Sequence, residues 1–211
     1  MEDDVAAEAL AVLDRRTDAI PGLRCRCPDE IIALFILIEL EANMTTVFKR
    51  EIEIGASKEE VWQALANFGD ICHAHPAVLT SHVTSQQETG LGATRHCDFA
   101  MLGATSEERA IEWREGEYLK IEAYALKNLP GIKTMTVDFA LRPNGTHTIL
   151  TSTMEYSMQN LLFDLMNFLM MKRMNSKLLD GIVAGHKKYI EDKEIVTQTT
   201  NLEMDKVVKL I

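Results

Sequence analysis

The chain has 211 residues, of which 46% are hydrophobic and 26% charged, and a formal charge of −10 at pH 7. That composition argues against disorder throughout and against a membrane-spanning protein, and the length suits one substantial domain with additional segments. The acidic balance argues against a nucleic-acid partner, because phosphate binding needs concentrated Lys and Arg.

The negative charge is uneven: residues 1–43 carry −6 of it and the remainder −4. This N-terminal extension holds a helical-looking stretch from Asp4 to Asp14, a Pro21-Gly22 break and an apolar run from Ile31 to Leu40. The run is too short to span a bilayer, which takes about 20 apolar residues. Two readings of the extension stand. Either the run is a partner-binding or edge element, or Met44 is the native start. The second rests on Leu40-Glu-Ala-Asn-Met44, which can be encoded by a purine-rich stretch resembling a ribosome-binding site. Cys25 and Cys27 have no second Cys or His pair at zinc-like spacing, and Cys72 and Cys97 read as small buried residues. No metal and no disulfide scaffold are therefore expected. A chain that opens Met-Glu-Asp-Asp lacks the basic start of a secretory signal, which predicts a cytoplasmic protein.

From Val47 the pattern becomes regular. Phe48, Ile52 and Ile54 alternate with Lys49, Glu51 and Glu53, the period of a half-buried strand. Ser57 and Glu60 then form a capping-box signature ahead of Val61, Trp62, Leu65 and Phe68 at helical spacing. After His75-Pro76 the sequence predicts strands over 78–85, 94–99, 107–113, 118–125, 132–141 and 147–156. Turn signals separate most of them, with Pro143-Asn-Gly145 the strongest hairpin signal. From Gln159 to about Ile190 there is no proline, and apolar residues recur every three or four positions, which predicts one long amphipathic helix. Gly181 and Gly185 within it are tolerable if something packs close against them. The expected organisation is an extension over 1–43, a ligand-binding domain over 44–191 and a loose tail over 192–211. The expected fold is α+β, a curved seven-stranded antiparallel sheet around a long C-terminal helix with space left over as an internal cavity.

Strand parity suggests the lining of that cavity. If Arg95 points inward, so do Cys97 and Phe99, while His96 and Asp98 face solvent. Ser106, Glu108 and Ala110 share a face on the next strand, and Ser152, Met154 and Tyr156 share one on the last. Arg95 and Glu108 would pair, either as a structural ion pair or as a holder for a ligand's polar head. Met166, Met170 and Met174 recur every four residues on the long helix and are read as a flexible stripe lining the cavity, or as ordinary core. Tyr124 shares a face with Lys120 and Glu122, so parity turns it outward unless a bulge intervenes.

Several of these pieces, taken in order, resemble a known superfamily. They are Ser57-x-x-x-Val61-Trp62-x-x-Leu65 with Phe68, His75-Pro76-Ala77-Val78, Gly90-x-Gly92-Ala93-Thr94-Arg95, Glu108-x-x-x-x-Trp113, Leu129-Pro130 and the closing helix. Together they resemble the SRPBCC, or START-like, group, which includes polyketide cyclases, lipid-transfer proteins and birch-pollen-allergen-like (Bet v 1-like) proteins. The nearest subgroup is the small bacterial polyketide cyclase/dehydratase type. The resemblance implies a helix-grip fold and a small hydrophobic or amphipathic ligand, such as a lipid, polyketide or aromatic metabolite. Plant abscisic-acid receptors are similar in register over Val61 to Val83, which implies a ligand-facing basic residue at His75, and Arg95 and Glu108 match a cavity-facing Arg and Glu on the receptors' third and fourth strands. Their gating latch is not matched at Leu129-Pro130-Gly131.

The expected ligand-binding residues are thus His75, Arg95, Cys97, Phe99, Glu108, Ser152, Met154, Tyr156, Met166, Met170 and Met174. A non-catalytic binder or carrier without a cofactor is the first reading. A cyclase or dehydratase using His75 or Glu108 for proton transfer is the second, with Tyr156 as a further candidate. A protein-interaction module like START-like co-chaperones or toxins is the third. No nucleophile–His–Asp set, H-E-x-x-H motif or phosphate-binding glycine loop is present.

Overall fold

The computed structural model describes residues 45–101, 103–129 and 131–211. The readings of residues 1–43, of Cys25 and Cys27, of Met44 as a start and of Pro130 lie outside them.

β1 (Thr45–Ile54) carries the alternation expected of it, with Phe48, Arg50, Ile52 and Ile54 all buried. Ser57 caps α1 (Lys58–Ala66) in a capping box with Glu60, which satisfies backbone N–H groups that a helix start leaves free. Val61, Trp62 and Leu65 of α1 face the core. Trp62 and Trp113 meet edge to face at 5.2 Å, and each donates its indole N–H to a different oxygen of Glu115, at 2.7 and 2.8 Å. This fastens α1 to the sheet. A short 3₁₀ segment, Phe68–His73, then leads through His75-Pro76 to the remaining strands.

These are β2 (Val78–Val83), β3 (Thr94–Phe99), β4 (Thr105–Arg114), β5 (Tyr118–Lys127), β6 (Ile132–Asn144) and β7 (His147–Met158). The β6–β7 hairpin turns on Gly145, whose φ of 64° is a left-handed conformation that only glycine takes without strain. With a short last strand, β8 (Val208–Lys209), all strand pairs are antiparallel, in the order β2-β3-β4-β5-β6-β7-β1-β8. The curved sheet wraps a long helix built from α2 (Leu161–Met166), a π-helical turn (Asn167–Met171) and α3 (Lys172–Asp192). Leu179, Ile182, Val183 and Ile190 of α3 pack with Phe48, Ile52, Leu119, Phe139, Leu150 and Met154 of the sheet in one core.

Gly181 and Gly185 show why the helix tolerates them. A Cβ at Gly185 would overlap the carbonyl oxygen of Ala74, and one at Gly181 would lie 3.3 Å from Pro76. The glycines let α3 lie directly on the 74–76 segment, which brings His75 up to the helix.

The tail differs from the loose segment expected. Val196 is buried and its N–H donates to the His73 carbonyl at 2.9 Å, Val207 is buried, and β8 (Val208–Lys209) pairs with β1 as an eighth strand. Arg50 is the reason it docks. Its guanidinium, 2% exposed, donates to Asp180 of α3, to Ser176 Oγ at 2.6 Å and to the Ile211 carbonyl at 2.6 Å, while Lys209 reaches Asp180 at 2.9 Å. A buried Arg needs several partners, and the tail supplies some of them.

Candidate ligand-binding site

β3 and β4 pair Arg95 with Glu108 and Cys97 with Ser106, and strand parity turns all four inward. Arg95 donates from Nε and one terminal nitrogen to the same Glu108 oxygen, at 2.8 and 2.5 Å, and from the other nitrogen to the Phe68 carbonyl at 3.0 Å. Its guanidinium also lies 4.3 Å from the centre of the Phe68 ring. The second Glu108 oxygen accepts from Ser106 at 2.9 Å. Burial works to raise the Glu108 pKa, but the charge and hydrogen bonds of Arg95, with the Ser106 bond, hold it below the usual carboxylate range. The ion pair is therefore closed on itself. Burial pushes the neighbouring Cys97 thiol up, which keeps it protonated and unreactive.

Two imidazoles sit within electrostatic reach of this pair. His75 accepts the Ala77 N–H on Nδ1 at 3.1 Å and meets Phe99 edge to face at 6.3 Å. Burial is the main cause that lowers its pKa to about 4, with Glu108 opposing and His186 and Arg95 adding to the effect. It is neutral at physiological pH, and its hydrogen-bonded Nδ1 puts the proton on Nε2. The cationic role implied by the hormone-receptor resemblance is thus absent at neutral pH. His186, on α3, donates from Nδ1 to the Ile182 carbonyl at 2.8 Å, and burial brings its pKa to about 4 as well. Its Nε2 is a hydrogen-bond acceptor, fully buried and without a partner among the described residues.

The remaining expected residues divide. Ser152, Met154 and Tyr156 are buried on β7, with Ser152 donating to the Asp138 carbonyl at 2.8 Å and Tyr156 to Asn167 Oδ1 at 2.8 Å. Phe99 is half-buried. Met166, Met170 and Met174 do not line the interior, being 38%, 62% and 44% exposed. The inward stripe is the neighbouring one, with Asn167, Met171, Asn175 and Leu179 buried. An α-helix has 3.6 residues per turn, so a stripe spaced at four walks round it; the π turn takes up that drift and holds these residues on one side. Asn167 anchors the choice, accepting from Tyr156 and donating to Thr46 Oγ1 at 3.0 Å. Tyr124 is 49% exposed, although a register shift does occur opposite it, between Glu107 and Glu108.

Sequence reading missed His186 and Arg50. His186 falls four residues from Ile182 and from Ile190 on the apolar face of the helix. Arg50 falls on the inward parity of β1. Each was legible as a polar residue at a core position, which must find a partner or a use.

Among the described residues no His, Cys, Asp and Glu cluster is arranged to hold a metal, and no helix is long and apolar enough to cross a membrane. Two shallow hollows among the described residues open on the surface, not into the space between sheet and helix where the sequence predicts a cavity. One lies beside Ser85, Gln87 and Leu91 and the other among Glu53, His147, Lys187 and Glu203, and neither is lined by the polar cluster.

Residues 45–191 match the family described as polyketide cyclase/dehydrase and lipid transport. The chain belongs to that family. No curated protein matches it in sequence. Among solved structures it is similar to a protein of Thermus thermophilus (TM-score 0.59, 12% identity, 70% of this chain and 99% of that one). It is similar also to a START superfamily protein of Mycobacterium smegmatis (0.58, 12%, 70% and 98%). A third is norcoclaurine synthase of Thalictrum flavum, in complex with dopamine and hydroxybenzaldehyde (0.56, 15%, 82% and 96%). At these identities the likeness shows the fold alone: the SRPBCC, START-like helix-grip fold that the sequence motifs resemble.

Proposed function

We propose that this family member binds one small amphipathic molecule between the sheet and α3, its neutral polar end hydrogen-bonded to His75 and His186. The observation that carries this reading is the orphan Nε2 of His186. Leaving a buried acceptor unsatisfied costs about 1–3 kcal/mol, a penalty that a ligand hydroxyl would remove. His75 offers a complementary donor in Nε2–H. Two neutral imidazoles beside a self-satisfied ion pair suit a hydroxyl or carbonyl, whereas a ligand carboxylate would meet no free cation there. The ligand's apolar body would lie against the surrounding core, where burial contributes about 25 cal/mol per Å² before binding costs. A carrier reading is favoured over proton-transfer catalysis because His75 is a weak base at a pKa of about 4 and both Glu108 oxygens are already engaged.

Native mass spectrometry of the full chain should show a 1:1 adduct with a hydroxylated or carbonyl-bearing molecule. As a probe, naphthol should bind about tenfold more tightly than naphthalene, the equivalent of one net hydrogen bond. His186→Leu should abolish that difference while raising the melting temperature of the unliganded protein. A difference that survives the substitution, or binding of neither compound by a protein that carries no adduct, would overturn the proposal. Turnover lost in both His75→Ala and Glu108→Gln variants with intact folds would instead favour the cyclase/dehydratase reading.

A further inference from the structure

The first half of the long helix is apolar on the side away from the core. Leu162, Leu165, Phe168, Leu169, Met170 and Met174 are 65%, 54%, 77%, 71%, 62% and 44% exposed. Scattered surface apolar residues need no explanation, but six large ones clustered on about three helical turns form a patch, and such patches mark interaction surfaces. The inner side of the same turns is tied down by Asn167 to Tyr156 and Thr46, so the outward face is held in place rather than free to roll inward.

The charges round the patch identify what fits it. Between Gln159 and Leu179 the chain has one acidic residue, the partly buried Asp164, against three exposed bases, Lys172, Arg173 and Lys177. At the other end the β5–β6 turn packs on the helix through Gly131 and Phe163, and its flanking Lys127 and Lys133 are exposed as well. An apolar face bordered by five cations thus stands on a chain whose net charge is −10. A second copy of this chain would bring the same cations against themselves. An anionic bilayer supplies both complements at once, acyl chains for the apolar side chains and phosphates for the bases, as interfacial amphipathic helices exploit.

We infer that the outer face of residues 161–174 is a docking surface for an anionic lipid bilayer, on which the domain sits peripherally with Phe168 and Leu169 inserted. The surface is separate from the His75–His186 site, so each stands or falls by its own measurement.

The test is co-sedimentation of the full chain with vesicles of phosphatidylcholine alone and of phosphatidylcholine and phosphatidylglycerol in equal parts. Anionic vesicles should bind at least about tenfold more tightly, and the advantage should fall as salt screens the cations. Phe168→Ser with Leu169→Ser should abolish binding to both, and Lys172→Glu with Arg173→Glu should remove the anionic preference. These side chains are exposed, so melting temperatures should be unchanged; should the serine pair unfold the chain, Leu162→Gln with Leu165→Gln makes the same test. Equal binding to both vesicle types, or no binding to either, overturns the inference. A Phe168-dependent dimer in sedimentation velocity without vesicle binding also overturns it and assigns the face to a second copy. A chain that binds naphthol but ignores vesicles loses this inference and keeps the ligand site.

Discussion

His75 and His186 are held neutral by burial, each with a pKa of about 4 against an ordinary value near ~6.5. The unfolded chain therefore takes up protons between those limits that the folded chain refuses, so stability falls as pH drops from about 6.5 towards 4 and is complete above that window. Each group contributes up to about 3 kcal/mol across that window, and the repulsion of His75 by a charged His186 adds to the joint loss rather than reducing it. Glu108, whose pKa is lowered, adds its loss only below the ordinary carboxylate range. His96, raised by its bond to Glu107, acts in the opposite sense, losing its contribution as pH rises, but it lies near solvent where screening weakens it. Calorimetry should show the melting temperature falling between pH 7 and pH 5, and His186→Leu should flatten that slope by about half. A flat wild-type profile would mean that the imidazoles are not buried as described.

The long helix is shaped by what it touches rather than by helix propensity. Alanine at an exposed helical glycine gains about 1 kcal/mol. At Gly185 the new Cβ would meet the Ala74 carbonyl, a backbone atom that cannot swing aside, so Gly185→Ala should cost about 1–3 kcal/mol net. At Gly181 the neighbour is the edge of the Pro76 ring at 3.3 Å, and Gly181→Ala should be close to neutral. Chemical denaturation of the two variants distinguishes this packing account from one based on propensity, under which both would stabilise. The same contact explains how a helix glycine acts on the site: widening the gap at Gly185 moves His75 away from His186.

Over the whole molecule, the Arg50–Asp180 pair ties β1, α3 and the C-terminal segment together. Arg50→Met leaves Asp180 at 6% exposure with Lys209 as its remaining ion-pair partner, and should cost about 3–5 kcal/mol in urea denaturation. Deleting residues 207–211 removes Val207 from the core, frees the β1 edge and takes two partners from the clasp. Losing the Val207 burial alone is worth about 1.5–3 kcal/mol, and the bared edge should promote self-association visible by light scattering. A truncated chain as stable and as monodisperse as the whole would show that the tail merely rests on the sheet.

Alternation, capping box, hairpin turn and helical period are local signals, so seven strands, the first helix and the long helix were legible in the sequence, in order, as were the strand faces that turn inward at Arg95, Cys97 and Glu108. The sequence could not decide between adjacent stripes of one helix. Met166, Met170 and Met174 are the more apolar set, yet Asn167 and Asn175 turn inward because Tyr156 and Thr46, distant in the chain, bind the Asn167 amide. Nor could it show that the last residues add a strand to the sheet, since that depends on Arg50 meeting the Ile211 carbonyl and Asp180 meeting Lys209, contacts between residues far apart in the chain. His75 was legible as a candidate from its motif, whereas its neutral state and the electrostatic influence of His186 on it exist only once α3 lies on residues 74–76. Local pattern specifies which strand faces turn inside; only the packed chain specifies which stripe of the helix joins them and which side chains meet there.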